Sequence, residues 1–215
     1  PRLDAEAGRQ VALRIAILDG NRLFAVNAGS NSLSLLHVDR RGKVRPADVD
    51  PSGGVRPISV TVHGKFVYVL NAGDATTPAN IRGFLALWGK LVPLPGSTRP
   101  LSAAAPDPAQ VEFSPNGRHL VVTEKATNLI DTFVVREPGR ANGPNVQASV
   151  GAVPFGFAVD PDGNVWTVSP PANSVYRYDP DTGQLDSYTG LDFPYTYSDM
   201  TGSGLLNSTC GSPVG

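Results

Sequence analysis

Residues 107–135 read DPAQVEFSPNGRHLVVTEKATNLIDTFVV, and the fold turns on how this stretch is parsed. Three short runs, VEFS, HLVVTEKA and LIDTFVV, are separated by a Pro-Asn-Gly turn and an Ala-Thr-Asn turn. Apolar and polar positions alternate within the runs, which is the two-residue period of a strand, and the Gly and Asn residues supply tight reversals. The stretch predicts most of one antiparallel blade. The same pattern recurs, reworded, near Val11, at Arg56 and at Val153.

Working outward, the following unit reads FGFAVD, NVWTVS, SVYRYDP and QLDSYTGL, with DPDGN and DPDTGQ as hairpin turns. The preceding unit reads ISVTV, FVYVLNAG, IRGFLALW and a last strand near Leu91 to Leu94. The first reads ALRIAIL, RLFAVNAG, SLSLLHVD and a weaker fourth strand near Val44 to Val49. Asn27 and Asn71, in matching VNAG and LNAG signatures, stand about 44 residues apart, a propeller-blade period. Innermost strands are expected after Pro57, Pro108, Pro154 and Pro194, the last one (FPYTYSDMTG) as the first strand of an unfinished fifth blade.

A lone four-stranded sheet cannot bury both of its faces, so like units must stack around an axis. The expectation is an all-β protein, a single β-propeller domain or partial propeller over 1–215. Its four-stranded antiparallel blades lie near 11–54, 55–106, 107–153 and 154–192, followed by an extra strand over 193–202 and a tail over 203–215. A β-sandwich with irregular strands is the structural alternative.

Composition narrows the function. The formal net charge is −1, far from the basic face that a nucleic-acid backbone demands, so no nucleic-acid partner is expected. Gly 23 and Pro 20 suit frequent turns rather than helices. A single cysteine, Cys210, excludes an internal disulfide and a multi-cysteine metal site. No run approaches the length of a membrane-spanning helix and the first residues carry no signal-like apolar region, so no membrane partner is expected. No Gly-x-Ser-x-Gly elbow, His-Glu-x-x-His, phosphate loop or dinucleotide fingerprint occurs. Asp160-Pro-Asp162-Gly-Asn164 looks like the opening of a calcium loop, but it lacks the distal Glu and reads as a hairpin turn.

LFAVNAGSNSLSLLHVD, FVYVLNAG, PGSTRPLS and DPAQVEFSPNGRHLVVTEKATNLIDTF resemble the lactonase-like seven-bladed β-propellers, the family of phosphogluconolactonases and carboxymuconate lactonizing enzymes. The resemblance covers about Arg22 to Asp160. Beyond it, DPDGNVWTVSPPANSVYRYDPDTGQ and FPYTYSDMTG are more similar to streptogramin-lyase-like and NHL-type repeats. Seven blades need roughly 300 residues, against 215 here. A missing remainder, closure of the ring by self-association, and a join of two propeller halves are the three ways to account for the difference.

Comparison between blades separates scaffold from candidate chemistry. Asn31, Asn80, Asn128 and Asn173 each precede a third strand, where Asn tolerates the left-handed conformation of a turn, so they read as structural. Blade three departs from the repeat: Glu124-Lys125 replaces the Ala-Gly of blades one and two. The resemblance implies that loops between second and third strands share the channel mouth with the loops entering each inner strand. That mouth is expected to collect Glu124, Lys125, Arg56 and Arg99 as catalytic candidates and Asp74, Asp107 and Gln110 as ligand-binding candidates. A carboxylate beside cations is the pattern of a general acid or base next to an oxyanion binder at a lactone carbonyl.

Family members also use mouth histidines, but His63 and His119 fall at the opposite ends of their strands and His37 lies within a third strand. No metal site and no cofactor are expected. Two functions follow: hydrolysis or formation of a lactone of a small acidic or sugar-derived molecule, or a non-catalytic platform that presents its loop face to a small-molecule or protein partner.

Overall fold

A computed structural model describes residues 16–149, 151–169 and 172–191. The expected fifth-blade strand over 193–202, the tail and Cys210 lie outside the described residues. Among the described residues, seventeen strands form four antiparallel sheets in chain order. Blade 1 holds β1 (Ala16–Asp19), β2 (Arg22–Asn27), β3 (Ser32–Val38) and β4 (Val44–Pro51). Blade 2 holds β5 (Pro57–His63), β6 (Phe66–Asn71), β7 (Asn80–Leu87) and an outer strand broken into β8 (Lys90–Pro93) and β9 (Arg99–Pro100), both paired with β7. Blade 3 holds β10 (Pro108–Phe113), β11 (His119–Glu124), β12 (Leu129–Arg136) and β13 (Arg140–Ala148). Blade 4 holds β14 (Phe157–Val159), β15 (Val165–Ser169), β16 (Ser174–Tyr178) and β17 (Leu185–Thr189). The all-β class and the four-stranded antiparallel sheets follow the sequence reading, and the inner strands of blades 2 and 3 begin at Pro57 and Pro108. The fourth inner strand starts at Phe157, three residues beyond Pro154.

Alternation decides what each face buries. Phe24, Leu33 and Leu35 of blade 1 meet Val60, Val67, Val69 and Phe84 of blade 2. On the other face of blade 2, Tyr68, Leu70 and Ile81 meet Val111, Leu120, Val122 and Phe133 of blade 3. Val121 and Ile130 then meet Phe157, Val165 and Tyr178 of blade 4. The sheets of blades 2 and 3 are thus apolar on both faces, which is why sheets stack in series here rather than pairing as a sandwich.

The inner strands pose a separate problem, because their free edges carry unpaired backbone groups. Side chains of the neighbouring blade satisfy them. Ser59 Oγ accepts from Val111 N (3.2 Å) and Thr61 Oγ1 from Phe113 N (3.0 Å). Gln110 accepts from Phe157 N (3.2 Å) and donates to Phe157 O (2.9 Å).

A further tie crosses between blades 2 and 3. Buried Tyr68 donates its hydroxyl to Gly139 O (2.8 Å) and accepts from Ala141 N (2.9 Å), fastening the β12–β13 hairpin to blade 2. Tyr68→Phe keeps the packing and strands both backbone groups. A loss of about 2 kcal/mol in chemical denaturation is expected, with an unchanged slope against denaturant.

Candidate functional site

The straps that enter blades 2 and 4 are built alike. Ser52 N bonds Asn31 O and Ser149 N bonds Asn128 O, each at 2.8 Å. Asn31 Oδ1 then accepts from Arg56 N (2.8 Å), and Asn128 Oδ1 from Val153 N (2.6 Å). Arg56, Asp107 and Val153, each preceding a proline, all have positive φ (52°, 48° and 56°), a conformation that a non-Gly residue holds only under such restraint. Asn31, Asn128 and Asn173 have positive φ as expected from the sequence. Asn80 does not share that backbone geometry, and its carboxamide accepts from Asn71 instead (3.0 Å). The reach of these asparagines to the next strap was not anticipated. Its signal was available in the equal Asn31-to-Arg56 and Asn128-to-Val153 separations of 25 residues.

The strap into blade 3 meets the turn of its own blade through the same two backbone bonds as the strap into blade 2. Asp107 O accepts from Lys125 N (3.1 Å) and Pro106 O from Ala126 N (3.0 Å), placing this strap against the β11–β12 turn. There Lys125 Nζ pairs with the exposed Asp107 carboxylate at 3.1 Å and lies 5.0 Å from the centre of the Phe155 ring. Ion pair and ring together hold the ammonium in place. On blade 2, Arg56 O and Val55 O accept from Ala72 N and Gly73 N (2.9 Å each), bringing Arg56 beside the loop that carries Asp74. Asp74 accepts from Thr76 N, Thr76 Oγ1 and Thr77 N, each at 2.8 Å. The Thr76 backbone N–H, followed by its hydroxyl and Thr77 N–H, holds that carboxyl below its ordinary pKa, with Arg56 adding to the effect.

Three of the residues expected at the mouth do other things. Glu124 is fully buried beneath the strap: Ser102 N donates to Oε1 (3.1 Å), while Ser102 Oγ and Thr127 Oγ1 (2.5 Å) donate to Oε2. Both of its oxygens accept from the chain's own donors. Gln110 is likewise fully buried, spent on Phe157 and on a donor bond to Glu112 (3.0 Å). Arg99 stands on the outermost strand of blade 2 and donates to Gly96 O (2.9 Å) and Thr98 O (2.7 Å). Lys125, Asp107, Arg56 and Asp74 remain at the strap ends.

Asp131 is a further member that the sequence reading passed over. It is fully buried, its Oδ2 accepts from Ser102 N (2.9 Å), and its Oδ1 meets no N–H or hydroxyl donor. Burial first, then its hydrogen bond and like charge with Glu124, push its pKa from 3.8 to about 8, against a smaller lowering by Ser102 N–H. Register exposes the anomaly. The pair that lies under a strap is Asn71 and Arg82 in blade 2 and Ser169 and Tyr176 in blade 4, whereas blade 3 puts two carboxyls there.

The Asp160 loop is a hairpin turn, with Asp160 Oδ1 accepting from Asp162 N (3.0 Å) and Asn164 N (2.9 Å). Among the described residues, no group of three or more His, Cys, Asp or Glu is placed to hold a metal ion.

Known proteins match this arrangement. The family model for the seven-bladed β-propeller lactonases matches residues 89–194, from the outer strand of blade 2 through blades 3 and 4. A 6-phosphogluconolactonase of Yersinia pestis (strain Pestoides F) is 35% identical over 80 residues, covering 36% of this chain and 24% of that protein. A putative 6-phosphogluconolactonase from Bacteroides uniformis superposes with a TM-score of 0.65 at 21% identity, covering 87% of this chain and 58% of that one. A streptogramin B lyase superposes at 0.58 and 18% identity, covering 81% and 53%. The chain thus spans little more than half of each solved propeller, and the matched segment about a quarter of the curated relative. Four serial blades among the described residues make the chain a β-propeller, and across blades 3 and 4 it is similar to the seven-bladed lactonases.

Proposed function

We propose that this propeller hydrolyses a lactone of a small acidic or sugar-derived molecule at the strap ends of blades 2 and 3. The observation that carries the reading is the Lys125–Asp107 ion pair at 3.1 Å, inside the segment matched by the lactonase model. Asp107 is 60% exposed on its side chain and Lys125 16%, so the carboxylate can reach water while the ammonium stays anchored.

In this mechanism Asp107 takes a proton from an attacking water, whose oxygen bonds to the lactone carbonyl carbon. Lys125 stabilises the charge that develops on the carbonyl oxygen. The ring C–O bond then breaks, and the departing alkoxide takes the proton from Asp107, giving the open hydroxy acid. Arg56 supplies a cation for the anionic group of the substrate.

Lys125→Met is expected to lower kcat/KM by about a hundredfold, equivalent to about 2.7 kcal/mol. The assay is a panel of sugar, phosphosugar and aromatic lactones followed by proton release. Equal rates for the wild type and Lys125→Met on every lactone would sink the reading. The second reading, a non-catalytic platform for a small-molecule or protein partner, is favoured by the internal engagement of Glu124 and Gln110, which leaves few convergent polar groups at the mouth.

A further inference from the structure

We propose that Glu124 and Asp131 share a single buried proton, and that this proton latches the strap over residues 101–107 onto blade 3. The geometry leaves little alternative. Two fully buried carboxyls meet on one face, because Glu124 ends β11 while Asp131 stands opposite Val122, two residues earlier on the same strand. Both close on Ser102: its N–H lies 3.1 Å from Glu124 Oε1 and 2.9 Å from Asp131 Oδ2. Two ionised carboxylates this close repel each other, and like charges in a desolvated site cannot both persist.

Among the described residues, neither carboxyl has a Lys, Arg or His ion-pair partner. The charged residues of the flanking segments are already engaged: Lys125 with Asp107, and Arg99 with the Gly96 and Thr98 carbonyls. Arg56 lies in the strap into blade 2, and Asp74 in the β6–β7 loop beside it. Asp131 Oδ1, buried and without a partner, is where the proton sits when it is directed at Glu124.

The comparison between blades points the same way. Blades 2 and 4 seat their straps with close glycine contacts, Gly53 and Gly54 on Arg82 and Asn71, and Gly151 on Ser169 and Tyr176. The blade 3 strap, LSAAAPD, has no glycine and is seated by the carboxyl pair.

The strap ends in Asp107, the partner of Lys125, so the latch positions the ion pair at the mouth without touching a ligand. Folding takes up the proton, since the Asp131 carboxyl is protonated up to about pH 8 when folded and ionised above its ordinary 3.8 when unfolded. The stabilisation is therefore complete below the unfolded value and disappears as pH rises through about 8.

The test uses the 215-residue chain and does not depend on any catalytic activity. Infrared difference spectra should show a buried protonated carboxyl in the wild type at neutral pH, lost near pH 8 and absent from Asp131→Asn. Between about pH 7 and pH 9.5 the wild-type folding equilibrium should weaken about tenfold. Hydrogen-exchange protection of the Ser102 amide should fall with it. Asp131→Asn, whose amide donates where the proton does, should hold both constant. If that variant does not fold, Glu124→Gln provides the same neutral pair from the other side. Absence of the carboxyl band at neutral pH overturns the proposal. So does full recovery of wild-type stability at high pH on adding calcium, which would make the pair a cation site.

Discussion

Gln110→Ala is expected to cost about 3 kcal/mol of folding stability. The side chain spans from the inner strand of blade 3 to that of blade 4 and satisfies both the N–H and the C=O of the fully buried Phe157. Truncation leaves two backbone groups without partners in an apolar setting, each costing about 1–3 kcal/mol, and opens a small cavity beside them. The loss should be local. Exchange protection should fall first in Phe157–Val159 and Val165–Ser169, while β5 and β6 keep theirs. Gln110→Met, which fills the space without hydrogen bonds, separates the two contributions. A change in denaturation midpoint within experimental error for Gln110→Ala would remove the clamp from the account of how blades 3 and 4 stay together.

Glu124→Ala is expected to destabilise by a similar or larger amount, about 3–4 kcal/mol. Ser102 Oγ and Thr127 Oγ1 lose their acceptor, Ser102 N–H keeps only Asp131, and in the proposed latch the shared proton loses one of its two carboxyls. The strap over 101–107 should become accessible to protease well below the global unfolding temperature. Since Glu124 faces no solvent, any fall in lactone turnover should come with the loss of the strap rather than without it. Loss of turnover in a variant with an intact, protected strap would put Glu124 in contact with the substrate after all.

Both predictions concern residues that look like site residues in the one-dimensional text, and the reason is instructive. Glu124 is a polar position that breaks the repeat, which is also how a ligand-binding group announces itself, and Gln110 is a polar residue next to a loop expected at the mouth. Spacing alone cannot distinguish a carboxylate aimed at solvent from one turned under its own strap. Asp131 was missed for a related reason. It sits in the middle of an otherwise apolar run, LIDTFVV, where alternation assigns it to one face without revealing that Glu124 occupies the same face.

By itself the sequence determined the all-β class, the four-stranded antiparallel units and their hairpin turns. Those features depend on local causes: two-residue alternation, the φ preferences of Asn and Gly, and the restriction before proline. It also determined that the sheets stack, since strands such as VYVL are apolar on both faces. Only the tertiary structure decided which polar groups are spent inside the molecule. The Gln110 clamp joins residues 47 apart, and the Ser102 bond to Asp131 joins residues 29 apart, while Arg99 is drawn away to an outer strand. Such pairings arise when blades close against one another and buried backbone edges need partners, a constraint that acts between units and leaves no period within any one of them.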